Sequence, residues 1–309
     1  MQQWKKLGWL FVPDGSVPWM RTHAAVPFAE RLDAKRYKIY FSTRNSENRA
    51  QIGWIIVDID NPAKILTLSQ NPLLSLPGPG FFDEDGVMGC QILDVGARKH
   101  LYYIGWNRGV SVPMRNANGL AMSEDGGETF HRYSAGPIMD RSIHDACFVS
   151  SMCVAPHGDG YGMWYQSCFD WRATAEGLQH QYHLKYAHSP DGVLWHRDGL
   201  VAIDFRYPNE YAMTTPRILR HQDGFVMWYC YRGGPAGDTY RIGFARSADG
   251  LKWHRLDEEV DLPPSDSGWD SDMVCYPFLF EHDGTLYMLY NGNGYGRTGF
   301  GLAALTTGL

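Results

Sequence analysis

The sequence predicts an all-β chain: a five-bladed β-propeller with blades of about 62 residues, forming a single domain over residues 1–309. Three observations carry this. Five short aromatic-aliphatic stretches recur at near-equal spacing, Asp-Gly hairpin signals follow three of them, and helical periodicity is almost absent.

The five stretches are Tyr37–Phe41, Leu101–Gly105, Tyr161–Tyr165, Phe225–Tyr229 and Leu286–Tyr290. Aligned on Tyr40, Tyr103, Trp164, Trp228 and Leu289, they lie 63, 61, 64 and 61 residues apart. Five copies at that period account for nearly the whole chain. A large β-sandwich, the other all-β solution, has no need of equal periods.

The hairpin signal recurs downstream. Leu120–Phe130, Tyr186–Trp195 and Phe244–Trp253 each read as a strand, an Asp-Gly turn and an aromatic opening the next strand. Glycine takes φ > 0 without steric cost, so Asp-Gly between apolar runs marks a turn. Asp125, Asp191 and Asp249 are therefore assigned to turn structure. No window of 11 residues holds a helical apolar stripe free of Gly and Pro, and Gly is 34 of 309 residues.

Composition bounds the function. Hydrophobic residues are 44% and charged residues 20%, which excludes a mainly disordered chain. The net charge of −6 argues against nucleic acid or an anionic membrane as partner. Mean hydropathy is −0.35, and no run reaches the roughly 18 apolar residues of a membrane helix. The short apolar stretch near the N-terminus ends in Pro13-Asp14-Gly15 with no cleavage signal, so no signal peptide is expected. Six cysteines without a CxxC pair read as buried free thiols of a cytoplasmic protein.

In a propeller the innermost strand of each blade lines a central channel. Five segments upstream of the aromatic stretches take that position: 19–27, 82–90, 144–152, 209–216 and 269–277. Four carry acids near their start, namely Asp83 and Asp85, Asp145, Glu210, and Asp270 and Asp272; the first offers Arg21 and His23 instead. Aimed at one axis, such acids would repel, and at least one would keep its proton. A carboxylic acid beside a carboxylate is the equipment of glycoside cleavage. Asp83, Glu210 and Asp270 are the expected catalytic acids. Arg21, His23, Asp85, Trp106, Asp145, Arg232, Asp272 and Asn293 are the expected substrate contacts, with aromatic faces for sugar rings and Asn or Arg for hydroxyls. Arg21 and Arg232 also suit a carboxylate or phosphate on the substrate. His23, His144 and His183 lack metal-ligand spacing, and neither a metal nor a cofactor is expected.

These features resemble the five-bladed propellers of glycoside hydrolase families 43, 32 and 130, through the repeat period, the Ser-x-Asp-Gly-x-x-Trp hairpins (Ser189 to Trp195, Ser247 to Trp253) and the acids. More narrowly, Thr22-His23-Ala24 with Pro27, Phe82-Asp83 with Gly86-Val87-Met88, Gly268 to Met273 and Tyr290 to Tyr295 resemble uncharacterised glycosidase-like propellers of bacterial surface-polysaccharide synthesis. The resemblance implies a glycoside hydrolase acting by carboxylate acid/base chemistry on a bacterial glycan. The alternatives are a phosphorylase or glycosyltransferase, or a non-catalytic carbohydrate-binding propeller. Families 43 and 32 imply acids on blades one, two and three. Here Asp83 or Asp85 suits the second blade and Asp145 the third, whereas His23 stands where the first acid belongs. Ser123–Phe130 also resembles the sialidase Asp-box, but five repeats argue against that six-bladed class.

Overall fold

The computed structural model describes residues 1–222 and 224–309. The chain opens with β1 (Gln2–Phe11). The first repeat then supplies β2 (Thr22–Arg31), β3 (Arg36–Arg44), β4 (Ala50–Asp58) and β5 (Asn61–Leu68). The second supplies β6 (Gly86–Val95), β7 (Arg98–Arg108), β8 (Met114–Ser123) and the short β9 (His131–Arg132). The third is β10 (Phe148–His157), β11 (Gly160–Thr174), β12 (Gly177–Ser189) and β13 (Val201–Ile203). The fourth is β14 (Ala212–His221), β15 (Gly224–Arg232), β16 (Arg241–Ser247) and β17 (His254–Arg255). A two-residue β18 (Val260–Asp261) leads to β19 (Cys275–His282), β20 (Thr285–Asn291) and β21 (Phe300–Thr307).

Each repeat is an antiparallel meander, because two-residue turns such as Gly96 and Gly158 (φ 62° and 59°) bring each strand straight back onto its predecessor. The fifth unit has only three strands of its own. Its outer strand is β1, which pairs antiparallel with β21 from Gln3 opposite Thr307 to Phe11 opposite Phe300. Both ends of the chain thus build one sheet.

Among the described residues, five of six apolar cores each join one unit to the next, and the sixth, with Phe148, Ala212, Cys230 and Cys275, spans the third to the fifth. Phe28, Tyr40, Val87 and Leu101 join the first unit to the second, and Tyr102, Ile104, Met152 and Tyr165 join the second to the third. Trp164, Leu184, Met213 and Met227 continue to the fourth, and Trp228, Phe244, Met288 and Tyr290 to the fifth. Phe41, Ile55, Leu289 and Phe300 close the fifth onto the first. The first strands likewise touch in sequence, β2 to β6, β10, β14 and β19, and back to β2.

At the centre of that ring Arg217 of β14 is 4% exposed. Its guanidinium donates to the carbonyls of Cys90, Met152 and Pro277 at 2.7, 3.2 and 3.2 Å. Those carbonyls belong to β6, β10 and β19. One side chain therefore ties four units together, and the charge is met by carbonyl dipoles. Arg217 is thus a plug in the channel and no part of the mouth.

The Asp-Gly turns are structural, as expected. Oδ1 of Asp191 accepts from the amides of Val193 and Leu194, both at 2.9 Å, and Oδ1 of Asp249 accepts from Leu251 and Lys252 at 2.8 and 2.9 Å. Gly192 and Gly250 supply the positive φ, 75° and 74°. The turns also latch neighbouring units: the Tyr102 hydroxyl donates to Gly192 O and the Trp164 indole to Gly250 O.

One detail of the repeat alignment changes. Tyr103, Tyr165 and Tyr290 each bond an acid 20 residues upstream, so these three are equivalent. Trp164 corresponds to Tyr102 instead. Aligning Tyr103 with Trp164 is a one-residue slip, which in a strand exchanges the two faces.

Candidate functional site

The carboxylates expected to converge are each fastened within their own unit. Asp83 is fully buried; its Oδ2 accepts from Arg132 Nε at 2.8 Å and the Tyr103 hydroxyl at 3.2 Å. Asp145, equally buried, accepts from Ser167, Ser142, Tyr165 and Arg197 at 2.6 to 3.1 Å, with Lys185 Nζ at 3.6 Å. Glu210 is held by both terminal nitrogens of Arg255, at 2.8 and 2.7 Å. Asp270 accepts from Lys6 at 2.7 Å and from the Tyr290 hydroxyl at 3.1 Å. Among the described residues no two of these acids share a hydrogen-bonding partner.

This corrects the expectation of one shared proton among Asp83, Asp145, Glu210 and Asp270. Each acid lies just before an inner strand and its cation on or beside the outer one, with a second-strand tyrosine added for Asp83, Asp145 and Asp270, so each ion pair braces one blade-like unit edgewise. Burial pushes the Asp145 carboxyl up, but the Ser167 hydroxyl, Lys185, Ser142 and Arg197 outweigh it and hold it below its ordinary range. In the first unit Met20 stands 20 residues before Tyr40, where the acid would be, and is 1% exposed. That unit has no cation to match.

The partners of the acids were legible. Phe130-His131-Arg132, Trp195-His196-Arg197 and Trp253-His254-Arg255 repeat at the end of the three Asp-Gly hairpins. A cation that recurs in step with an acid is the signature of a repeated ion pair.

Other expected contacts are likewise engaged. Asp85 binds the Arg108 side chain at 2.7 and 2.9 Å. Asn293 accepts from the amides of Asp272 and Met273 and donates to Gly268 O and Ser271 Oγ. It ties down the segment before β19, and Asp272 enters through its backbone. Arg21 is exposed on the rim, its amide bonded to Arg44 O.

The structure does bring His23 and Trp106 together, through Arg44, which the sequence reading passed over. Arg44 ends β3 as Arg108 and Arg232 end β7 and β15; that shared position was its signal. Its guanidinium lies 6.0 Å from the Trp106 ring. His23 is 9% exposed, with Nδ1 2.9 Å from Thr22 Oγ1. Burial, then the charges of Arg44 and Arg297, drive the His23 imidazole down to about 4. Burial lowers the Arg44 guanidinium, opposed by Tyr276 and reinforced by Arg297. Among the described residues neither Arg44 nor Arg297 lies within ion-pair distance of a carboxylate.

Bulges at the start of the inner strands make this grouping possible. His23 and Tyr276 have φ of 63° and 56°, and β2 and β19 both shift register there. An extra residue at a strand's leading end re-aims its side chain toward the mouth.

Arg232 extends the cationic mouth. Its guanidinium packs against Tyr211, Tyr240 and Tyr295 at 5.1, 5.1 and 5.7 Å, and it donates to Asp238 O. Tyr240 lies 5.8 Å from Tyr276, so an arc of rings links Arg232 to the Arg44 cluster. The arrangement is a basic, aromatic-lined mouth on a ring of sheets, and its chemistry is recognition of an anion beside a flat apolar face. No cluster of three or more metal-ligating side chains occurs among the described residues.

The fold is that of glycoside hydrolase-like β-propellers. A solved structure named "Glycoside hydrolase" superposes with a TM-score of 0.75 at 17% identity, covering 99% of this chain and 92% of its own. A glycosyl hydrolase from Bacteroides ovatus gives 0.72 at 14% identity over 98% and 93%. A structure described under "The GH130 family of mannoside phosphorylases contains glycoside hydrolases that target beta-1,2 mannosidic linkages in Candida mannan" gives 0.70 at 14% over 98% and 93%. The chain itself belongs to the family of the uncharacterized protein Rv1502 of Mycobacterium tuberculosis strain H37Rv, to which it is 40% identical over 302 residues, 98% of this chain and 99% of the relative. The uncharacterized protein MT1551 of strain CDC 1551 matches equally. No protein-family model matches the chain. Among the described residues no helix is long and apolar enough to cross a membrane.

Proposed function

We propose that the chain is one five-bladed propeller domain, residues 1–309, that processes a glycan carrying an anionic group, by glycosyl transfer to or from phosphate in preference to hydrolysis. One observation carries this reading. His23, Arg44 and Arg297 share the mouth with Trp106 and Tyr276 and have no carboxylate partner there among the described residues, whereas Asp83, Asp145, Glu210 and Asp270 are each neutralised within a unit. Burial and the two guanidinium charges keep His23 neutral, and those two charges are costly together in a partly dry site unless an anion joins them. A phosphate or a sugar carboxylate supplies that anion, and the indole face supplies a platform for the ring. Work on bacterial surface glycans fits both this chemistry and the resemblance. Six free thiols support a reducing compartment such as the cytoplasm.

Hydrolysis by Asp83, Glu210 and Asp270 is the second reading. It draws support from Asp83 Oδ1, which is buried and without a hydrogen-bond partner. Among the described residues it is the one fully buried carboxylate oxygen of the four acid sites that no donor reaches.

Thermal melts in phosphate and sulfate, compared with chloride, test the anion site. Both anions stabilise folded proteins generally by exclusion, so the readout is the difference between wild type and Arg44→Ala. A larger shift in wild type supports the site, and equal shifts overturn it. Turnover that requires phosphate supports transfer. Free sugar released in phosphate-free buffer, and lost in Asp83→Asn, supports hydrolysis instead. Anion binding without turnover across a substrate screen would mark a binding propeller.

A further inference from the structure

We infer that a second carbohydrate subsite, for a neutral sugar ring, lies beside the cationic mouth between the β11–β12 hairpin and the loop after β15. The inference rests on the glycan reading above and adds the shape of the ligand: a charged end in the mouth and at least one uncharged ring outside it.

The β11–β12 hairpin is the longest in the molecule. β11 has 15 residues, against 7 to 11 in the other second strands. The extra length pairs Trp171 with His180, Arg172 with Gln179 and Ala173 with Leu178. This raises a wall that the other units lack. Facing it, the chain after β15 turns sharply at Gly233 (φ 83°), where a Cβ would sit 2.0 Å from Asn209 O. Only glycine lets the two segments meet there. Between wall and loop lies a cleft of about 360 Å³, within the roughly 300–1,000 Å³ of small-molecule sites.

Arg172, Gln179, Asn209, Tyr211 and Asp238 line this cleft. The Arg172 guanidinium, the Asn209 amide and the Asp238 carboxylate have no side-chain hydrogen bond or ion pair among the described residues. Gln179 uses only its Oε1, accepting from Gln181. Donors and acceptors of both kinds therefore surround one tyrosine, and that is how hydroxyl-rich rings are held. Tyr211 is backed by the Arg232 guanidinium 5.1 Å from its ring, and Arg232 also donates to Asp238 O at 3.0 Å. The same arginine thus shapes the cleft and reaches Tyr240 and Tyr295 at the mouth.

Charge separates the two sites. In the cleft Arg172 is opposed by Asp238, and Glu210 is already neutralised by Arg255. A second anion would meet the Asp238 carboxylate, whereas an uncharged ring would bond it. In the mouth, Arg44, Arg232 and Arg297 have no carboxylate within ion-pair distance among the described residues, so it selects the opposite.

The test is a glycan array of neutral and acidic oligosaccharides of bacterial type, with affinities of the hits measured for wild type, Arg44→Ala, Arg172→Ala and Asp238→Ala. Arg172 and Asp238 are exposed, so their replacement leaves the fold intact. The expected result is that Arg172→Ala and Asp238→Ala bind the longer acidic hits about tenfold more weakly, the loss of one charged hydrogen bond. The terminal acidic monosaccharide alone should bind them as it binds wild type. If both cleft variants bind every hit as wild type does while Arg44→Ala loses them, the subsite is wrong and the anion reading stands. If Arg44→Ala also binds as wild type, the anion reading falls. Retention of nothing on the array overturns both.

Discussion

Arg255 grips both carboxylate oxygens of Glu210, at 2.7 and 2.8 Å, across 45 residues of sequence. The arginine begins from the outermost strand of the fourth unit and the glutamate from the turn that starts its innermost strand. The pair therefore spans the full width of a sheet. Arg132 reaches across the second unit to one carboxylate oxygen of Asp83, and Arg197 across the third to one of Asp145.

Arg255→Ala should be severely destabilising, because it strands Glu210 and Asp257 without their cation. Breaking a buried pair from one side costs about 3–5 kcal/mol. Urea unfolding reads this directly. Glu210→Gln should likewise lower the midpoint; a catalytic acid free of structural duty would lose turnover with its midpoint unmoved.

Met20→Asp is the reciprocal experiment. It places an acid where the first unit has no cation, so burial should raise that carboxyl well above its unfolded value. The folded state then binds the extra proton, and stability should fall as pH rises through the raised pKa. Melts from pH 4 to 8 should decline progressively relative to wild type. A variant indifferent to pH would show that the site admits water or another cation.

Wild type should lose stability on the acid side. Burial, with Arg44 and Arg297, holds the His23 imidazole down at about 4, and burial with Arg232 does so for His180. Between about 6.5 and 4 the unfolded chain binds protons that the folded chain refuses, so stability falls as pH drops across that window. Urea midpoints measured from pH 7 to 4 test this, and His180→Phe should flatten the slope.

Sulfate, which does not titrate in this range, should bind more tightly as pH falls from 7 to 5, because an anion in the mouth favours protonated His23. Calorimetric titration should show the slope in wild type and none in His23→Gln. A slope that survives the substitution assigns it to another group.

Thiol labelling should find one reactive cysteine in the folded protein. Cys147 is partly exposed, while Cys90, Cys153, Cys168, Cys230 and Cys275 are buried. Burial also pushes the Cys147 thiol up, so labelling should be slow at neutral pH and absent in Cys147→Ser.

The repeat was legible because every unit must solve one packing problem, that of covering a meander whose second strand is buried on both faces. Leu101–Gly105 and Phe225–Tyr229 are apolar for that reason, and their spacing exposes the unit length. The Asp-Gly turns were legible because φ > 0 demands glycine locally. The acids were legible as a set, but the cations that hold them were passed over. A buried carboxylate at the start of an inner strand looks the same in sequence whether it faces a substrate or an arginine 45 to 52 residues downstream.

The sequence by itself determined the strands, the turns and the repeated acid, tyrosine and arginine, since each follows from local backbone preference or from a pattern copied along the chain. Only the tertiary structure decided that Arg217 plugs the channel, that β1 completes the last sheet, and that Arg44 and Arg297 meet at His23 with no carboxylate in ion-pair distance among the described residues. Those three facts depend on which distant segments meet when the ring closes, and closure is driven by non-directional apolar burial between units, which leaves no local signature of the polar neighbours it creates.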